Sequence, residues 1–174
     1  MLTSLMLVFA PAASAAWDGT SVSAALVGAG TEFDPYLISN ENDLAYLAKQ
    51  VNDGVTHYDG EFFKLMVDLD LGQKDWTPIG ALSANYFGGN FDGDGHTIRG
   101  LKVKTDANDK KALYGGLIGS AACITVSYGD LNTEASMFNC FVTGIVINDP
   151  TECPNVGVLM GYVNDTFHFN LSCY

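Results

Sequence analysis

Two short acidic runs hold most of the chemistry available to this chain. Asp68 and Asp70 alternate with Leu69 and Leu71, and Asp92 and Asp94 fall within Asn90-Phe91-Asp92-Gly93-Asp94-Gly95. On a strand that rises about 3.4 Å per residue, Asp68 and Asp70 face the same way roughly 7 Å apart. With Asp92 or Asp94 on a neighbouring strand they would form the acidic cluster of a polysaccharide hydrolase or lyase. One carboxyl would act as acid and another as base or nucleophile, or calcium would be held against a uronate. A lyase also needs a cation, and Arg99 and Lys102 are the nearest in sequence. Asn90, Asp92 and Asp94 match the first half of a calcium loop, with oxygen ligands at alternate positions and a glycine for the turn. The second half does not match, because the twelfth position requires glutamate and Leu101 stands there. The competing reading, which the sequence favours, gives Asp92 and Asp94 to turn amides, with Gly93 and Gly95 at positive φ between two strands.

Trp76 and Tyr86 are the candidate ligand-binding aromatics, since an exposed ring stacks on a sugar, although such rings more often fill a core or close a loop over it. No zinc peptidase signature is present, because His57, His96 and His168 have no second histidine four residues away. No cofactor is indicated. Cys123, Cys140, Cys153 and Cys173 leave two readings open: disulfides, with three pairings of all four, or buried free thiols.

The elements that must position these residues follow from composition and pattern. At 174 residues and 48% hydrophobic, the chain builds one domain with a continuous core. Its net charge of −12, with every Lys and Arg between Lys49 and Lys111, disfavours nucleic acid, which requires a basic patch. The apolar run Leu5 to Ala10, followed by Ala13-Ser14-Ala15, reads as a signal peptide over residues 1–16. The run is too short to span a bilayer, so no transmembrane segment is expected. Leu44, Leu47, Ala48 and Val51 recur at helical spacing, with Ser39 or Asn40 as N-cap and Gly54 as stop. Beyond Phe62, short β-prone runs separated by Gly, Asp and Asn take over. Thr97 to Lys104 and Phe141 to Ile147 share one alternating shape. The separations Leu101 to Ile145 and Leu117 to Leu159 suit two coils of about twenty residues each.

These runs, with GTEFDPYLISNENDLAYLAKQVN (Gly30 to Asn52), FFKLMVDLDLG (Phe62 to Gly72), WTPIG (Trp76 to Gly80), FGGNFDGDGHTIRGLKV (Phe87 to Val103) and GLIG (Gly116 to Gly119), resemble the GLUG-motif family of exported bacterial surface proteins. Its members include the non-catalytic N-terminal regions of IgA-specific metallopeptidases. A looser echo, Val158 to Gly161, departs from the pattern by lacking the first glycine in register. The resemblance implies an extracellular or bacterial cell-surface location and no protease activity. Pattern and resemblance together predict an all-β fold, a right-handed parallel β-helix over residues 17–174 with one N-terminal capping α-helix. The expected function is a non-catalytic, adhesin-like binding or stalk module for a glycan or host-surface ligand. The alternative is a polysaccharide-degrading enzyme using the clustered aspartates. The chain ends within an apolar stretch, so truncation at the C-terminus and self-association through an uncapped last coil are also expected.

Overall fold

The computed structural model describes residues 15–82, 84–104, 114–122, 136–147, 155–156, 160–164 and 168–170. The apolar run of the expected signal peptide, and Cys123, Cys153 and Cys173, lie outside them. Among the described residues no helix is long and apolar enough to cross a membrane.

One helix, α1 (Glu41–Asn52), forms where the apolar stripe runs, and Leu44, Leu47, Ala48 and Val51 are all buried. Asn40 is its N-cap, with Oδ1 accepting from the Asp43 amide at 3.1 Å. Asp43 answers by accepting from the Ser39 amide at 2.9 Å and from Ser23 Oγ at 2.5 Å, so a buried carboxylate ties the chain before the helix to its first turn. At the other end Gly54, at φ 69°, provides the left-handed stop and donates to Val51 O.

The strands are β1 (Tyr36–Ile38), β2 (Phe62–Leu65), β3 (Leu69–Asp70), β4 (Asn90–Asp92), β5 (Thr97–Lys104), β6 (Tyr114–Gly115), β7 (Ile118–Ala122), β8 (Ser136–Phe138), β9 (Phe141–Ile147), β10 (Asn155–Val156), β11 (Met160–Asn164) and β12 (His168–Asn170). They form a five-stranded sheet β1-β2-β4-β8-β12, a three-stranded sheet β3-β5-β9, and the pairs β7-β11 and β6-β10. Among the described residues every pairing between two of these strands is parallel, and the antiparallel bridges are the isolated ones Val27 to Leu37 and Thr31 to Asp34. In the largest sheet the register aligns Tyr36, Phe63, Phe91 and Met137 in one inward column. The loop after β3 adds Trp76, Ile79 and Phe87 to the same core, with Ile79 beside Ile118 and Phe87 beside Ala121.

The expectation of an all-β, right-handed parallel β-helix is therefore corrected. The strands divide among four separate sheets, and the helix is part of the core rather than only a cap, since Leu44, Leu47 and Val51 are fully buried among sheet residues. The expected coils of about twenty residues are also absent. Lys102 pairs directly with Ile145, and Ile118 directly with Met160, so each long separation is a single step rather than two. The steps between parallel neighbours differ in length: those from Tyr36 to Phe63 and from Phe63 to Phe91 are nearly equal, whereas the step from Phe91 to Met137 is much longer.

Two glycine positions are set by close approach. β5 carries a bulge between Ile98 and Leu101, where Gly100 takes φ 69°. Opposite it, a Cβ on Gly144 would meet Leu101 O at 2.3 Å, so only glycine lets β9 pass the bulge. Gly119 is similar, since a Cβ there would lie 2.6 Å from Gly80 O. Gly116, at φ 159°, is ordinary extended backbone. Gly119→Val should cost about 2 to 3 kcal/mol in denaturant unfolding, by forcing the 78–80 backbone away. Gly95→Ala should cost only about 1 kcal/mol, because φ 81° is its one constraint and nothing lies within 4 Å of the added carbon. Equal losses in the two variants would refute the close-approach account.

Candidate functional site

The acidic residues singled out in the sequence lie on or beside the β2 to β5 region, and each is held by neighbours of its own. Asp68 Oδ1 accepts from the Thr97 amide at 3.0 Å and meets His96 Nδ1 at 3.1 Å. Asp70 accepts from the Gly72 amide at 2.9 Å and pairs with Arg99 Nε at 3.0 Å, directly across the β3–β5 ladder. Asp75 continues the series, 2.6 Å from Lys102 Nζ. His96, just before β5, and Arg99 and Lys102 along it stand opposite three aspartates of the preceding segment, with the bulge at Gly100 between Arg99 and Lys102. The result is a row of cross-strand acid–base rungs on the outer face of one sheet.

The electrostatics follow from these contacts. The Thr97 amide, then His96, holds the Asp68 carboxyl below the usual aspartate range. For Asp70 the Gly72 amide is the leading cause and Arg99 adds to it, against some desolvation. Both carboxylates are thus held charged, as structural rungs require.

Asn90, Asp92 and Asp94, the candidate metal ligands, are not gathered around a common point. The buried Asn90 accepts from Ser136 Oγ at 2.6 Å. Asp92 accepts from the Asp94 amide at 2.8 Å and from Asn139 Nδ2 at 3.3 Å, while Asp94 pairs with Lys64 Nζ at 3.1 Å. Among the described residues no group of three or more His, Cys, Asp or Glu is placed to hold a metal ion. The turn differs from expectation in one detail. Asp94 and Gly95 take positive φ, whereas Gly93 is required because a Cβ would meet Asn139 O at 2.4 Å and Cys140 Cα at 2.5 Å. Cys140 is a free thiol, pushed up to about 12 by burial and by the nearby Asp92 charge, so it is a packing residue rather than a nucleophile.

The two candidate aromatics fare differently. Trp76 is buried, its Nε1 donates to Leu117 O at 3.1 Å, and its ring meets Trp17 edge to face at 5.4 Å. Only its margin reaches a cleft of about 310 Å³ that α1 forms with residues 17–22 and 75–77, with Trp17, Val22, Ala45 and Ala48 as apolar wall and Lys49 and Asp75 at the rim. Tyr86 stacks on His57 at 4.1 Å with the planes 4° apart, and His57 Nδ1 donates to the Tyr86 carbonyl at 3.0 Å. Burial, then the Asp59 carboxylate, pushes its hydroxyl up to about 12.

Two positioning residues escaped the sequence reading. Asn52, at the end of α1, accepts from the Gly80 and Ala81 amides at 3.1 and 2.9 Å and donates to Pro78 O at 2.9 Å, so the helix end fixes the loop that carries Trp76 and Ile79. Glu41, buried in the first turn, accepts from the Asp70 amide at 3.0 Å. Neither has a local sequence signal, because their partners lie 28 and 29 residues away.

Asp70→Asn should lower unfolding stability at neutral pH by about 1 kcal/mol, a modest value because the pair is partly open to water. A carboxyl depressed in the folded state contributes above its unfolded value and loses that contribution as pH falls through the folded one. The difference between parent and variant should therefore vanish in strong acid. A gap that persists in denaturant titrations at that pH would show that the rung acts through packing.

Halomucin from Haloquadratum walsbyi is 29% identical over 99 residues, a stretch that covers 55% of this chain and 1% of halomucin. A protein described as a Gly-rich membrane protein from Evansella cellulosilytica is 38% identical over 101 residues, 53% of this chain and 10% of that protein. The chain thus spans at most a tenth of the length of these relatives. No family model matches the chain. No solved structure matches it at a significant level.

Proposed function

We propose that this chain is a non-catalytic module of an extracellular or surface-associated protein, acting as a stalk or as a scaffold for glycan binding. The observation that carries the proposal is that Asp68, Asp70, Asp92 and Asp94 are each engaged by turn amides, by cross-strand cations or by both. General acid–base or nucleophilic work needs two carboxyls free to face one substrate. Here their hydrogen-bonding capacity goes to aligning neighbouring strands. The name of the Evansella relative, a membrane protein, and the GLUG-like residue runs support the same cellular setting, as does the small share of each relative that the chain covers.

A glycan-array screen of the full chain, run with calcium and again with chelator, tests the assignment. Binding should not depend on calcium, and Asp92→Asn with Asp94→Asn should leave it unchanged. Calcium-dependent binding to acidic glycans, or cleavage of any bound polysaccharide, would return the aspartates to a catalytic or metal role.

A second copy of the chain is the partner we assign to the last strands. β9, β10, β11 and β12 each stand last in their sheets, paired on one side only among the described residues, and such edges template further pairing. Sedimentation equilibrium should show mass rising with concentration. A clean monomer at high concentration would remove this partner.

A further inference from the structure

Glu61 is a carboxyl whose position neither the cross-strand rungs nor the core requires. It lies just before β2, with its amide donating to Tyr58 O at 3.0 Å and its carbonyl accepting from the Asn90 amide at 2.7 Å, so the backbone fixes it on both sides. Its side chain points at the hairpin formed by residues 27–37, where a Cβ on Gly30 would sit 3.1 Å from Glu61 Oε2 and 2.5 Å from the Tyr36 ring. Oε2 is buried and has no hydrogen-bond partner. Tyr36, Tyr58 and Phe63 enclose the region, with centroids 5.8, 5.3 and 5.0 Å apart for the pairs 36–58, 36–63 and 58–63. Tyr58 is held at φ 58°, an unusual conformation for an aromatic residue.

Ionisation is disfavoured at this site, because Oε2 is stripped of water and has no donor even though the Tyr36 hydroxyl bonds to the carboxyl. The groups that act on Glu61 do not offset this. The Tyr36 hydroxyl on β1 favours the charged form, but the Asp59 carboxylate opposes it, and desolvation outweighs both. Tyr58, on the adjoining turn, interacts with Glu61 directly, and Tyr46, on α1, bears on the cluster through Tyr36 and Tyr58. No ion pair to Glu61 forms among the described residues.

We propose that Glu61 is a proton-operated latch, holding the 27–37 hairpin closed over β2 as a neutral acid and favouring release of the hairpin once its proton passes to solvent. The contacts that open are few: the Phe62 amide to Gly30 O at 2.9 Å and the Tyr36 and Leu37 rungs of the β1–β2 ladder, while the buried Ile38 beyond the hairpin stays in place. The hairpin carries Phe33 and Val27, the two most exposed large apolar side chains described, so little burial besides the latch holds its tip. A carboxyl raised in the folded state gives its full stabilisation below the ordinary glutamate value and loses it as pH rises through the folded one. Closure is therefore tight in mild acid and weakens toward neutral pH.

Amide hydrogen exchange on the full chain, corrected for intrinsic rates, tests this from mild acid to slightly alkaline pH. Protection of the Phe62 amide should be lost progressively as pH rises through that range, while α1 amides hold steady. Glu61→Gln should remove the pH dependence and keep the protection high. If that variant does not fold, the ¹³C carboxyl resonance of Glu61 in the parent chain decides, since it should titrate above free glutamate. Constant Phe62 protection, an identical fall in Glu61→Gln, or a carboxyl titrating at or below the free value would overturn the latch.

Discussion

Parallel pairing is the constraint on which the rest of this structure depends. A strand can lie parallel to its neighbour only if the chain first returns to the starting end, which takes a long connection. In most parallel sheets that connection is a helix. Here, between β2 and β4, it is β3 and the loop bearing Trp76, Ile79 and Phe87, all buried. The connections therefore supply much of the core, and the single helix closes one side of it. Each buried Leu, Ile, Val or Phe contributes about 1.5 to 3 kcal/mol before the entropy of ordering the chain is subtracted.

Because the connections are themselves core, their exits need backbone contacts that side chains would obstruct. Gly119 passing Gly80, Gly144 passing the β5 bulge and Gly93 passing Cys140 are three instances of this requirement. The same crowding explains why acidic residues recur at strand ends. A carboxylate beside a turn satisfies amides that have no ladder partner, as Asp70 does for Gly72 and Asp92 for Asp94. Across the sheet it meets a cation one strand away. Alternating acids therefore arise from structural need as readily as from catalysis.

The sequence disclosed local features well and long-range ones poorly. The periodicity of Leu44, Leu47, Ala48 and Val51 located the helix, and the limits of β5 and β9 coincide with the alternating runs, because these signals depend on neighbours in the chain. The bulge between Ile98 and Leu101 was not read from the sequence, where the run passed as one alternating strand. The very short strands β1, β3 and β8 were not anticipated, since two or three residues carry no period. Equal repeat lengths were expected, but the steps after β4 and β5 are much longer than those before them. Trp76 was open to a ligand role in the sequence, but a single distant contact, its bond to Leu117, makes it a core residue. Glu61 gave no signal, because its character comes from Gly30 and Tyr36 approaching it from another element.

The order of strands in the largest sheet, β1-β2-β4-β8-β12, follows the order of the chain. Neighbours in space thus keep the order of the chain, with strands of the other sheets intervening in sequence, and each strand lies across the direction in which the sheet grows. Tension applied along that direction would load the ladders in peeling geometry, with hydrogen bonds opening one after another rather than all at once in shear. A stalk built this way would yield in steps and recover strand by strand, an extensible damper more than a rigid spacer.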